Sequence, residues 1–234
     1  MIYVMSDIHG CFDEFLEMLN KIKFSNNDEL YIIGDVVDRG PKPIELLLYL
    51  MEHKNNIHLV KGNHEDMMFR CLVPPYHSNE ERTNLINSFE LQSNRDLWVI
   101  YNGGNTTAKG YNKLTYEEQS DIYYFLEALK SYQVVKVEDK SYLLLHGGPP
   151  AKWDFNDEKV LEDILWTRIE KADFESDLVP GYHLIVGHTP TVKYGKEYTG
   201  KIIEGYHKFL IDCGCVFGYT LGCLCLNDGR QYYI

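Results

Sequence analysis

Three apolar runs, Ile2-Tyr3-Val4, Leu30-Tyr31-Ile32-Ile33 and Ile57-His58-Leu59-Val60, each lead into a polar block and then into a stretch with helical spacing. This β-loop-α order, repeated three times before residue 73, constrains the chain more than any other feature. Parallel strands need a long crossover to return to the same edge, and a helix supplies it. In residues 12–22, Phe12, Phe15, Leu16, Leu19 and Ile22 keep to one helical face. Pro41 and Pro43 suit a helix entrance before residues 44–51, and residues 65–72 read as a third helix. In such sheets ligands gather beyond the carboxyl ends of the strands, and Asp7, Asp35 and Asn63 all fall there.

Residues 73–115 are polar, aromatic and irregular, and read as a cap-like insertion in which substrate selection could reside. Thr115-Tyr116-Glu117-Glu118 has the form of a capping box, with a helix expected to run on towards Lys130. Strands are expected at residues 134–137, 142–145, 183–186, 208–211, 220–226 and 231–234, with Asp228-Gly229 as a hairpin turn between the last two. These later strands imply a second sheet. No repeat, low-complexity tract or linker divides the 234 residues, 44% of them hydrophobic, so one domain is expected over residues 1–234.

The chain starts directly into strand-like sequence without a basic region or long apolar stretch, and no segment approaches the roughly 18 consecutive apolar residues of a membrane span. The expectation is a soluble, cytoplasmic protein without a membrane partner. Its 35 acidic residues exceed 23 basic ones, giving a formal charge of −12, which opposes a broad phosphate-backbone surface and argues against nucleic acid. Bound cations could still make one cleft locally positive, so small anionic groups fit. Cys11, Cys71, Cys213, Cys215, Cys223 and Cys225 outline no disulfide framework. The single-residue gaps in Cys213-Gly214-Cys215 and Cys223-Leu224-Cys225 depart from zinc-knuckle spacing, which favours small buried strand side chains over a zinc site.

Five blocks carry the chemistry: Asp7-Ile8-His9-Gly10, Gly34-Asp35-Val36-Val37-Asp38-Arg39-Gly40, Gly62-Asn63-His64-Glu65, His146-Gly147-Gly148 and Gly187-His188-Thr189-Pro190. Asp7 and His9 stand two apart on a strand exit, where both side chains can lean towards one cation. Asp35 has two oxygens and can bridge two ions, Asn63 adds a neutral oxygen, and His146 and His188 add imidazoles. Mixed oxygen and nitrogen donors without thiolates favour two divalent ions, Mn²⁺ first, with Fe or Zn²⁺ as alternatives. Taken singly, each block has a structural reading as a turn or a helix entrance, and Arg39 and Arg168 as surface ion pairs. Five together in compatible order point to a two-metal site. His53, His58, His77, His183 and His207 stay as core or surface histidines.

With these motifs in this order, the sequence resembles the phosphoprotein phosphatase family of calcineurin-like metallophosphoesterases, especially its compact bacterial and phage members, over nearly the whole chain. The resemblance implies an α/β sandwich of two mixed β-sheets flanked by helices. It implies Asp7, His9 and Asp35 at one metal, and Asp35, Asn63, His146 and His188 at the other. It assigns phosphate binding to Arg39, together with Asn63, and catalysis to His64 near the leaving group, oriented by Asp38. Trp166-Thr167-Arg168 looks like the family segment that supplies a second phosphate-binding arginine, Arg168. The implied reaction is direct hydrolysis of a phosphomonoester by a hydroxide activated between the metals, in a serine/threonine protein phosphatase or an enzyme acting on a small phosphoester.

The runner-up, a symmetrical diadenosine tetraphosphate hydrolase, looks similar in the first motifs and from Ile211 to Leu226. That group commonly lacks the acid at the Asp38 position and carries Asp at the Glu65 position. A non-catalytic phosphate-binding module would show an eroded ligand set, which this chain does not. Neither a P-loop nor a Gly-x-Gly-x-x-Gly fingerprint follows the first strand. Pro149-Pro150 and the loop near Tyr219 depart from the eukaryotic relatives, whose regulation is not carried over.

Overall fold

The first three apolar runs become β1 (Ile2–Met5), β2 (Glu29–Ile33) and β3 (Ile57–Val60), parallel neighbours with Met5 opposite Ile32 and Ile33 opposite Val60. This is a computed structural model that describes residues 1–152 and 157–234. Crossovers are made by α1 (Phe12–Lys21) and α2 (Pro43–Glu52), and α3 (Asn63–Phe69) follows β3. The level register brings the three carboxyl ends to one rim. Two antiparallel strands, β9 (Gly222–Cys225) and β10 (Gln231–Tyr233), complete the order β10-β9-β1-β2-β3.

A second sheet, in the order β4-β5-β6-β8-β7, is built from β4 (Tyr132–Val137), β5 (Lys140–Leu145), β6 (His183–Val186), β7 (Ile203–Gly205) and β8 (Lys208–Leu210). Its inner pairs β5-β6 and β6-β8 are parallel and its outer pairs antiparallel, so both sheets are mixed. Leu145 lies opposite Val186, which delivers His146 and the Gly187-His188 turn to the same rim.

Both faces of the first sheet are covered. Val4, Ile33 and Val60 pack against Val135, Leu144, Ile185 and Ile211 between the sheets. Met5, Leu30 and Ile32 point the other way, onto Phe15, Met18, Leu46, Leu47 and Met68 of the helices and Leu126 of α7 (Tyr116–Glu127). Strands buried on two sides need continuous apolar runs, which is why these were legible. Each large aliphatic side chain so enclosed contributes about 1.5–3 kcal/mol. On the outer face of the second sheet, Leu143, Leu145, Leu184 and Val186 pack on Ile164 of α8 (Glu158–Trp166) and on Phe174.

The structure departs from the sequence reading at several places. Helix α7 stops at Glu127, because the chain turns to lay Lys130 beside Val60 as an added bridge on the sheet edge. Strand β9 is shorter than residues 220–226, and the three-residue β7 had no expectation. Residues 73–115 are helical and not irregular. They form α4 (Asn79–Ile86), α5 (Phe89–Asp96), a π-helical segment Leu97–Tyr101 and α6 (Asn105–Tyr111). Ser78 and Ser88 cap α4 and α5 through their hydroxyls, starting helices that no apolar periodicity announces.

All six cysteines are free, and Cys213 lies between the sheets whereas Cys11, Cys215, Cys223 and Cys225 face the helices. No cysteine belongs to a metal-competent cluster among the described residues. Among the described residues no helix is long and apolar enough to cross a membrane.

Candidate metal centre

The loop leaving β1 is laid directly on the loop leaving β2. The Asp7, His9 and Gly10 amides donate to the carbonyls of Gly34, Asp35 and Val36 at 3.1, 2.9 and 2.8 Å. Gly34 has φ +86, and a Cβ there would lie 2.5 Å from Gly62 Cα and 2.6 Å from His146 Nδ1. Only a residue without a side chain lets the β2 and β3 exits close around His146.

The Asp35 loop is held from below by Glu65, which is fully buried on α3. Its Oε2 accepts the Asp35 and Gly62 amides at 2.8 and 2.9 Å, and Oε1 accepts those of Val36 and Val37 at 2.9 and 3.3 Å. Burial and the nearby Asp35 charge raise the Glu65 pKa against these four donors. Sequence reading placed Glu65 only as a point of difference between related groups. Its position three residues after the Gly62 helix cap was the available signal.

Asp35 is the centre of the site. Its Oδ1 lies 3.3 Å from His146 Nε2, and its Oδ2 lies 3.5 Å from His9 Nε2 and 3.8 Å from His64 Nε2. One carboxylate thus belongs to two trios of donors, His9-Asp35-His64 and Asp35-His146-His188. Asn63 Oδ1 joins the second, 2.8 Å from His146 Nε2 and 3.1 Å from His188 Nδ1. Asp7 is in neither trio. Its carboxylate accepts Ser6 Oγ and the His188 amide, the latter at 3.0 Å to Oδ2, which ties it to the backbone of the second trio.

The tautomers follow from the carbonyls. His9 Nδ1 donates to Val37 O at 2.8 Å and His146 Nδ1 to Ile33 O at 2.8 Å, leaving both Nε2 atoms aimed inward. This back-anchoring is what metal-ligating histidines show. In the second trio the His146 Nε2, an amide oxygen and a carboxylate oxygen then converge on one point, which a cation, or in its absence a proton on Nε2, must fill. The electrostatics express the same demand. Burial pushes Asp7 up to about 6, and it drives His9 well below its ordinary value. Burial and the neighbouring His146 take His188 down to about 3. Burial opposes charge on both partners of the Asp35–His146 pair, yet their attraction wins, holding Asp35 well below the carboxylate range and His146 at about 10.

Within the first trio, His64 Nδ1 donates to Asp38 Oδ2 at 2.6 Å. Burial alone would lower the His64 pKa, but Asp35 and Asp38 raise it. Arg39 is exposed, and its guanidinium reaches back to His9 Nε2 at 2.5 Å and His64 Nε2 at 2.8 Å, with Phe217 packed on the cation 5.7 Å from the ring centre. Arg168 is likewise exposed and donates to Thr189 Oγ1 at 2.8 Å, next to His188. Every residue singled out for the site therefore reaches this rim. Trp98 and Thr107, both bonded to Asp38, were not expected.

A model of the calcineurin-like phosphoesterase family matches residues 1–210. The chain belongs to the calcineurin-like phosphoesterase family. It is 25% identical to serine/threonine-protein phosphatase 1 of Salmonella typhimurium over 225 residues, 94% of this chain and 89% of that protein. It is 44% identical to a symmetrical bis(5'-nucleosyl)-tetraphosphatase of Haemophilus ducreyi over 72 residues, 30% of this chain and 27% of that protein. Another of that name from Buchnera aphidicola is 36% identical over 102 residues, 42% of this chain and 35% of that protein. The chain thus spans about a third or less of these two tetraphosphatases. Among solved structures, a protein serine/threonine phosphatase of Saccharomyces cerevisiae superposes with a TM-score of 0.57 at 17% identity, covering 100% of this chain and 78% of that one. A candidate diadenosine tetraphosphatase superposes with a TM-score of 0.63 at 17% identity, covering 100% and 92%. These two likenesses speak for the fold, a sandwich of two mixed sheets flanked by helices.

Proposed function

We propose that the chain is a metal-dependent phosphomonoester hydrolase of the serine/threonine protein phosphatase kind. His9, Asp35 and Asp7 would hold one divalent ion and Asp35, Asn63, His146 and His188 a second, with Asp35 shared. The oxygen and nitrogen donors favour Mn²⁺, with Fe or Zn²⁺ as alternatives. When bound, the pair supplies Lewis acidity to the phosphoryl group and an activated water at neutral pH. Arg39 presents a planar fork to phosphoryl oxygens at the mouth of the site, and Arg168 a second guanidinium across the rim. Asn63 contributes to the same phosphate pocket. With Arg39 turned from His64 Nε2 onto the phosphoryl oxygens, the His64 imidazolium would give its Nε2 proton to the departing oxygen while Asp38 fixes Nδ1.

The observation that carries this reading is the buried Asp38–His64 hydrogen bond of 2.6 Å beside the donor cluster. It is an acid aimed at the site mouth, which an alkoxide leaving group such as that of serine requires. Near full-length similarity to a serine/threonine-protein phosphatase supports it. The free thiols support a reducing, cytoplasmic setting. Residues 73–115 act as a cap within a single domain, where exposed Phe89, Ile100 and Tyr101 favour a role in substrate selection. A second reading, symmetrical hydrolysis of diadenosine tetraphosphate, is favoured by the higher identity of the short matches. Turnover of a phosphoserine peptide and of diadenosine tetraphosphate by the Mn²⁺-loaded protein separates the two. A kcat/KM larger for the dinucleotide would replace the first reading by the second.

A further inference from the structure

The Asp38 carboxylate is completely buried and accepts from three side chains, two of which come from the cap. Trp98 Nε1 donates to Oδ2 at 2.8 Å and Oδ1 at 3.0 Å, Thr107 Oγ1 donates to Oδ1 at 2.6 Å, and His64 Nδ1 donates to Oδ2 at 2.6 Å. The Thr107 hydroxyl also accepts the Asp38 amide at 2.8 Å. A hydroxyl that accepts there has its single hydrogen left for the carboxylate, so its role is fixed. Both partners are themselves buried, Trp98 within the π-helical segment and Thr107 on α6. A third tie from the cap, Arg39 N–H to Gly103 O at 3.0 Å, holds the next residue of the same loop. A π-helical turn inside a helical stretch is an unusual arrangement that recurs at functional sites.

From these contacts we infer that Trp98 and Thr107 are positioning residues for the acid. They keep Asp38 as a pure acceptor, which holds the His64 Nδ1–H bond in place and so aims Nε2, which bears the transferable proton in the acid reading, at the leaving group. The cap is then part of the catalytic apparatus and not only a surface for substrate. The inference rests on the reading of His64 as general acid, and it adds a separate requirement: loss of either cap donor reproduces part of the His64 defect through His64 alone.

The test uses the Mn²⁺-loaded protein with phenyl phosphate, whose leaving group needs a proton, and p-nitrophenyl phosphate, whose leaving group does not. His64→Asn is the reference. Positioned acid catalysis contributes roughly 10²- to 10⁴-fold, so its loss falls mainly on phenyl phosphate. Trp98→Phe and Thr107→Val keep ring and branched volume but remove the donors. Each is expected to slow phenyl phosphate about tenfold to hundredfold, the range of one charge-assisted hydrogen bond, and p-nitrophenyl phosphate less than about threefold. Thr107→Ser keeps the hydroxyl and restores the rate. In a His64→Asn background the cap substitutions should cost nothing further. Metal content and thermal midpoint identify a misfolded variant. Where one of Trp98→Phe and Thr107→Val is misfolded, the other decides, together with the downfield His64 Nδ1 proton signal read in the diamagnetic Zn²⁺-loaded protein. That signal is expected to keep its position in Thr107→Ser and to shift in the folded variant; an unmoved signal there overturns the inference. If His64→Asn slows both substrates equally, the acid reading itself is wrong. If His64→Asn discriminates but the cap variants do not, or if they cost as much without His64 as with it, the inference is overturned while the acid reading stands.

Discussion

Glu65→Gln is the substitution whose effect the structure determines most directly. The carboxylate is fully buried, and each of its oxygens accepts two backbone amides, Asp35 and Gly62 on one and Val36 and Val37 on the other. Whichever way a glutamine amide turns, its nitrogen faces two N–H donors, so two of the four hydrogen bonds become repulsive contacts. At about 1.5–3 kcal/mol for a charge-assisted hydrogen bond, the gross loss is about 3–6 kcal/mol. Part of this is offset because the amide carries no charge, whereas burial and Asp35 make charge on Glu65 unfavourable. A net loss of about 2–4 kcal/mol is expected, read as a lower urea midpoint at unchanged slope in the metal-free protein. Since the Asp35 and Val36 amides belong to the loop that aims the shared carboxylate, Mn²⁺ affinity should fall about 10- to 100-fold, the usual consequence of losing an outer partner of a metal ligand. Titration calorimetry of both proteins measures it. A loss below about 1 kcal/mol with unchanged Mn²⁺ affinity would mean that the Asp35 loop is held by its own backbone pairing and not by Glu65.

Asp35→Asn removes charge from the one carboxylate that faces both trios. Metal affinity should drop by more than the roughly 100-fold that an outer-partner loss produces, and two metals per chain at wild-type affinity after equilibrium dialysis would show that Asp35 is misassigned. Arg39→Ala should lower kcat/KM on p-nitrophenyl phosphate roughly 10²-fold, as for loss of one oriented charge donor, with metal content and metal affinity kept, because Arg39 is exposed and donates to imidazoles without lending them a lone pair. Metal analysis showing loss of ions would move Arg39 from substrate binding to metal support. Thr115→Ala should destabilise the protein by about 1 kcal/mol at neutral pH through the lost cap of α7. The Thr115 amide and hydroxyl hold the Glu118 carboxyl below its ordinary value. A depressed acid contributes stability above its unfolded pKa and loses it as pH falls through the folded one, so the gap between Thr115→Ala and wild type in urea should narrow as pH falls below the ordinary carboxylate range. A gap that is unchanged or widens would show that Glu118 takes no part in the cap.

The fold was legible where burial imposes period. Val4 and Met5, or Ile32 and Ile33, point to opposite apolar layers, so a strand covered on both faces must be apolar throughout and shows itself as a run. By contrast α5 has no buried residue, and no apolar stripe can announce such a helix. The candidate donors stand out in the sequence because each block ends a strand. Their support does not, because Trp98 and Thr107 reach Asp38 across 60 and 69 residues, and neither residue type at that distance carries a local signature.

The backbone of the rim adds a constraint that residue types conceal. Of nine non-glycine residues with positive φ among the described residues, six are Asp7, His9, Asp35, Asp38, Arg39 and His188. Each such conformation costs on the order of 1–3 kcal/mol, and glycine would adopt it without penalty. The three loops nevertheless carry carboxylates, imidazoles and a guanidinium at these turns. Such strain persists only where surrounding structure over-determines it, and here the Glu65 carboxylate and the cap donors to Asp38 do so. Stability given up at the turns keeps the donor atoms in place ahead of any ligand, and that advantage would be lost by glycine at any of the six positions, even where the resulting chain is more relaxed.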